Sequence, residues 1–170
     1  SPMKRGFTLV EVLVAMAILV VVLAVGVRYF ASTSELARNT QARSELQDRV
    51  RMVMQVVTAD LQMAGARYWN SGNQNQAFSL PLPPLSGSNM GPKDTLTLYY
   101  VTSLRDLASA CRRVDYGFEG DTLRRSDVNA TPSSGSDCTT PPPNSQPLAE
   151  GMLALDIQYQ CSDGSRKDTP

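Results

Sequence analysis

The sequence has no histidine, and aromatic residues make up only 6% of its 170 positions. The first absence removes the commonest general base and the commonest transition-metal ligand. Net charge is also missing, because 16 Lys and Arg balance 16 Asp and Glu. Without a basic excess the chain lacks the electrostatic footprint of a dedicated nucleic-acid binder. Neither a Gly-rich phosphate loop nor a Gly-x-Ser-x-Gly elbow occurs. These absences read as a chain that is not an enzyme and has no cofactor or metal site. No proline stands between Pro2 and Pro81, and glycine is sparse before Gly65. Such a run permits one long helix.

What the chain does have is a long apolar run. Residues 7–27 read FTLVEVLVAMAILVVVLAVGV. At 1.5 Å per residue, a helix of this length matches the ~30 Å hydrocarbon core of a bilayer. Lys4 and Arg5 precede it and Arg28 follows it. The Lys4-Arg5 pair is expected to stay cytoplasmic while the C-terminal bulk is translocated. A secretory signal has a shorter apolar core followed by an Ala-x-Ala-like site, and nothing of that kind follows Val27. Beyond Arg28 the remainder carries 13 positive against 15 negative residues.

One residue in the span is out of place for lipid. Glu11 is its single charge, and an isolated charge at the centre of a bilayer costs at least ~2.5–3.5 kcal/mol. Such a residue is a functional candidate, and its cost falls where a cation from a neighbouring copy can reach it.

The order Gly6-Phe7-Thr8-Leu9-Val10-Glu11 resembles the cleavage and N-methylation motif of type IV prepilins and the related type II secretion pseudopilins. The resemblance implies that a membrane peptidase cuts between Gly6 and Phe7 and that the new Phe7 amine is methylated. It also implies that Glu11, fifth from the cut, pairs with the terminal amine of a neighbouring subunit. Burying an ammonium and a carboxylate together costs far less than burying either alone. The implied partners are the membrane, other pilin subunits, the prepilin peptidase and the pilus assembly platform. Residues 1–6 would then be a leader and 7–27 the transmembrane and assembly helix. Most major pilins carry a helix-kinking proline near the position of Arg28, and this chain has none.

From Leu46 apolar residues fall at 46, 50, 53, 57, 61 and 64. These steps of three and four describe a helical stripe facing a core. Glu45, Asp48, Arg49, Arg51 and Asp60 are expected on the opposite face. Residues 28–66 thus read as an amphipathic stalk, the whole helix running from Phe7 to about Ala66.

Residues 67–170 read as a β-rich head. Tyr68 to Lys93 is expected to be a long polar loop. Thr95–Thr102 alternates in β-formers and predicts a strand. Val114–Phe118 and Thr122–Ser126 predict a hairpin turning on Glu119-Gly120. Residues 128–147 read as another loop, and Leu153–Gln160 as a last strand. The expectation is α+β: a four-stranded antiparallel sheet packed on the helix, the pilin fold. The hairpin, the Asp121-Thr122-Leu123-Arg124-Arg125 strand and the late run from Leu148 to Tyr159 resemble PilW-like minor pilins and J-type pseudopilins. Those families usually continue with a further strand, whereas this sequence ends at Pro170.

Arg112, Arg113, Arg124 and Arg125 lie on the expected hairpin, where a phosphate-contacting patch is conceivable. With Glu119-Gly120 as the turn, Asp115 faces Arg124 and Asp127 faces Arg112, a stabilising cross-strand arrangement. This favours a solvated, self-neutralised face over direct DNA binding.

Cys111, Cys138 and Cys161 all fall in the head, expected outside the cytoplasm, where disulfides persist. Three cysteines allow three single pairings. The strand order favours Cys111–Cys138, since the hairpin returns the chain to the end where Cys111 sits. Closing that loop of about 28 residues would contribute roughly 3–4 kcal/mol.

Together these features predict a subunit of the bacterial inner membrane with a periplasmic or extracellular head. Three functions fit: a minor type IV pilin serving adhesion, twitching or DNA uptake; a type II secretion pseudopilin; or a signal-anchored exported binding protein or enzyme that does not polymerise.

Overall fold

The structure, a computed structural model, describes residues 6–170. The leader residues 1–5, with Lys4 and Arg5, lie outside the described residues. Two compact units are present, residues 1–48 and 49–170. A single helix, α1 (Leu9–Met63), contributes to both.

In the first unit the described residues are almost wholly helical, and their side chains are exposed. This helix is long and apolar enough to cross a membrane. Where the chain turns polar, Thr33 and Thr40 return their hydroxyls to the carbonyls four residues back.

The second unit is built on a five-stranded antiparallel sheet in sequence order. Its strands are β3 (Leu85–Ser88), β4 (Thr95–Val101), β5 (Cys111–Glu119), β6 (Thr122–Asn129) and β7 (Ser145–Ala149). Alternation along β4 sends Leu96, Leu98 and Tyr100 to one face and Tyr99 and Val101 to the other. The first face packs on Val53 and Val57 of α1 with Val114, Tyr116 and Leu123. The second is closed by Trp69, Phe78, Ala110, Cys111 and Ala130. The α+β expectation holds, with three corrections in the β structure and one in the helix.

The sheet's last strand is β7, which begins within the region 128–147 expected to be a loop, and the run Leu153–Gln160 is not in this sheet. Gly151, at φ 72°, turns the chain after β7. The run then lies as an extended strap whose Leu155 and Ile157 pack on the helix-side core. Period-2 alternation serves a strap as well as a strand, because both put every second side chain inward. Asp94, buried to 1% exposure, secures the strap by accepting from the Ile157 amide at 2.8 Å. Tyr159–Gln160 (β8) pairs with Arg166–Lys167 (β9), and Leu155 makes an isolated parallel bridge with Lys93.

The polar stretch 68–93 also contains strands, β3 and a hairpin of β1 (Tyr68–Ser71) with β2 (Gln74–Ala77). Here turn chemistry outweighs side-chain propensity: Gly72, at φ 58°, occupies a two-residue loop between Ser71 and Gln74. The β5–β6 turn is Gly120-Asp121 rather than Glu119-Gly120, since Glu119 pairs with Thr122. A two-residue hairpin loop with glycine at its first central position suits Gly120, at φ 59°. Arg112 therefore stands opposite Asn129 and Asp115 opposite Ser126.

The helix correction concerns Asp60, expected on the solvent face of α1. It is 6% exposed and points into the sheet-facing core, while Leu46, Val50 and Leu61 of the expected stripe remain substantially exposed.

Candidate functional site

The chain's N-terminal chemistry is concentrated in six residues. Gly6, Phe7 and Thr8 precede the helix, which begins at Leu9. Phe7 is 88% exposed. Among the described residues nothing lies within 4 Å of where a side chain on Gly6 would begin. Local packing does not demand glycine there, so a requirement for it would come from outside this chain.

Glu11 is exposed and already has one partner within its own helix. The Thr8 amide donates to Glu11 Oε2 at 2.8 Å, and the Thr8 hydroxyl donates to the same oxygen at 3.1 Å. In return the Glu11 amide donates to Thr8 Oγ1 at 3.3 Å. This is a capping box, in which the N-cap and the third helical residue satisfy each other's orphan amides. Sequence reasoning missed this role, although Thr-x-x-Glu before an apolar run is its signature. In hydrocarbon, where water cannot serve these amides, such a cap matters more. Among the described residues the contacts of Thr8 fall on Oε2 alone.

The cysteine pair belongs to the second unit. Cys111 opens β5, and Cys138 lies in the loop after β6, tied back by its amide to the Ser79 carbonyl at 2.8 Å. The two form a disulfide with a Cα separation of 6.0 Å. Cys161 is free.

The second unit also holds a buried polar chain between α1 and the sheet. Asp60 on α1 receives Arg125 Nε at 2.8 Å on Oδ2 and Arg125 Nη2 at 2.9 Å on Oδ1. The Tyr116 hydroxyl donates to Oδ2 as well. Arg125 Nη2 also lies 3.7 Å from Asp127, which holds Arg112 Nε at 2.8 Å. Burial and then the Asp60 hydrogen bond drive the Tyr116 phenol well above its ordinary pKa. The hydrogen bond to Asp60 raises Arg125 further. Burial, followed by the charges of Asp127 and Asp60, raises Tyr100. The other two hairpin arginines pair locally, Arg113 with Asp115 at 2.9 Å and Arg124 with Glu119 at 3.2 Å. Among the described residues no group of three or more Cys, Asp or Glu is arranged to hold a metal ion.

No solved structure matches this chain at a significant level. Residues 1–27 match the family model of the prokaryotic N-terminal methylation motif. The match covers Gly6, Phe7 and Glu11, and it supports a type IV pilin-like or pseudopilin-like protein that is processed by a prepilin peptidase and assembled with other pilin subunits.

Proposed function

We propose that the chain is a minor type IV pilin, a structural subunit that primes or joins a filament and so supports adhesion, twitching motility or DNA uptake. The observation that carries this reading is a methylation motif opening directly into an apolar segment whose single charge is Glu11. Prepilin peptidase cleaves between Gly6 and Phe7, and the Phe7 amine is methylated. In the filament Glu11 pairs with the Phe7 ammonium of a neighbouring copy, which relieves both charges of their isolation in lipid. The apolar segment holds the subunit in the inner membrane, with residues 1–6 as a cytoplasmic leader and the head in the periplasm before assembly. The Cys111–Cys138 disulfide suits that compartment. The lack of a proline near Arg28 supports a minor rather than a shaft-forming role. The four hairpin arginines are each engaged by a carboxylate, which supports a structural rather than a DNA-contacting head.

The test is mass spectrometry of the protein from its producing cell, with its abundance in sheared filaments. The expected result is an N-terminal methylated Phe7, few copies per filament, and loss of piliation on deletion. An uncleaved leader beside an active prepilin peptidase overturns the reading. Normal pili with failed protein export on deletion would assign the chain to a secretion pseudopilus instead.

A further inference from the structure

The C-terminal part of α1 carries two apolar stripes, and the sheet covers one of them. The covered stripe includes Val53, Val57 and Asp60, with Val56 and Ala64 packed at its edge. The second stripe is Val50, Met54, Val57 and Leu61, spaced at four, three and four residues, and it shares the buried Val57 with the first. Of these, Val50, Met54 and Leu61 are 50%, 54% and 41% exposed. At 100° per residue the two stripes are centred roughly 70° apart on the helix. The uncovered stripe contains no polar residue, so on hydrophobic grounds it is the better one to bury. The helix nevertheless buries the stripe that contains a carboxylate.

What distinguishes the two seatings is the partner set waiting on the sheet. Only with Asp60 inward can Arg125 reach both carboxylate oxygens and Tyr116 donate to one of them. Rotated away, Asp60 would leave the Tyr116 hydroxyl unpartnered at an apolar interface and the Arg125 guanidinium with only Asp127, at 3.7 Å, which is costly. We propose that the Asp60–Arg125–Tyr116 cluster is a seating lock: it selects one rotation of α1 on the sheet against a competing apolar stripe. Its role is selection rather than added stability. Buried ion pairs are often replaceable by apolar groups without loss of stability, whereas single buried polar residues are known to set register between packed helices.

The full-length protein in detergent micelles tests this through its own methionines. Peroxide oxidation followed by peptide mass spectrometry reads Met54 on the uncovered stripe, Met63 at the core, and Met52 as an exposed reference. The variant carries Asp60→Leu, Tyr116→Phe and Arg125→Leu together. Its urea midpoint is expected to equal or exceed that of wild type. With the two seatings equally populated, Met54 oxidation falls about twofold relative to Met52, and Met63 oxidation rises. Adding Val50→Glu, which forbids burial of the competing stripe, restores the wild-type pattern. An unchanged oxidation pattern in the folded triple variant overturns the proposal. Should that variant not fold, Asp60→Asn is read in the same way, and an unchanged pattern there overturns it equally.

Discussion

Thr8 and Glu11 close the first turn of α1 on each other, the Thr8 amide giving 2.8 Å to the carboxylate and the Glu11 amide 3.3 Å to the hydroxyl. With the proposed filament pairing, two roles converge on one carboxylate, and a single substitution separates them. Glutamine serves the capping box as well as glutamate does, but it carries no charge. Glu11→Gln is expected to insert into the membrane at least as well as wild type and yet to be missing from sheared filaments, as Glu11→Ala would be. Normal incorporation of the glutamine variant would assign Glu11 to the cap alone.

Removing Asp60 alone should be among the most damaging changes in the head. Asp60→Ala leaves Arg125 without its bidentate partner at a largely buried site, a loss of about 3–5 kcal/mol. The control is the Arg124–Glu119 pair, whose glutamate side chain is 76% exposed. Glu119→Ala should change stability by about 1 kcal/mol or less. Urea denaturation of both variants checks the ordering, and equal effects would mean that Asp60 is not buried as described.

Reduction should weaken the head measurably. The Cys111–Cys138 bond spans a sequence separation of 27, and closing such a loop contributes roughly 3–4 kcal/mol. Paired Cys111→Ser and Cys138→Ser substitution, or a reductant, should lower the unfolding midpoint accordingly. Alkylation without reduction should label Cys161 only. Label on Cys138 in the oxidised protein contradicts the pairing.

Alkaline pH should loosen the fold in a defined window. Burial raises Tyr100, Tyr116 and Tyr159 above the ordinary tyrosine pKa, so the folded state favours their neutral form. Their contribution is fully present below the unfolded value of about 10 and is lost as pH rises through the folded values. Folded protein held at about pH 11 should show less tyrosinate absorbance than its six tyrosines allow. The missing share should appear on unfolding, and Tyr116→Phe should flatten the fall in urea midpoint above that pH. Full absorbance from the folded protein at that pH would contradict the burial.

The long apolar helix was legible because an unbroken apolar run of that length, free of proline, has few other readings. The β4 strand was legible for a similar reason, since TLTLYYV is dense in β-formers and buried on both faces. Asp60 was not. Helical periodicity scores side chains by polarity, and an aspartate whose partners lie 56 and 65 residues away scores as solvent-facing. The strands at 68–71 and 74–77 were less legible because, after Tyr68 and Trp69, Asn, Gln and Ser carry little β signal, and their pairing rests on a glycine turn. The strap escaped because alternation records which side chains point inward and not which backbone groups they pair with. The N-terminal cap was written plainly as Thr8-x-x-Glu11, but the membrane setting drew attention to the charge instead.

The placement of Asp60 has a consequence for biosynthesis. α1 leaves the ribosome before any strand of the sheet, and Arg125 follows Asp60 by 65 residues. At bacterial elongation speeds of about 5–20 residues per second, that stretch takes roughly 3–13 seconds to appear. Until β3, β4 and β5 have been made, Val53, Val57 and the apolar stripe beside them have no sheet to cover them, and until Arg125 follows, the seating cluster is incomplete. The nascent subunit is thus open to misassociation longest along the helix on which its head is later seated. Holdase demand should peak before Arg125 emerges and fall once β6 is complete.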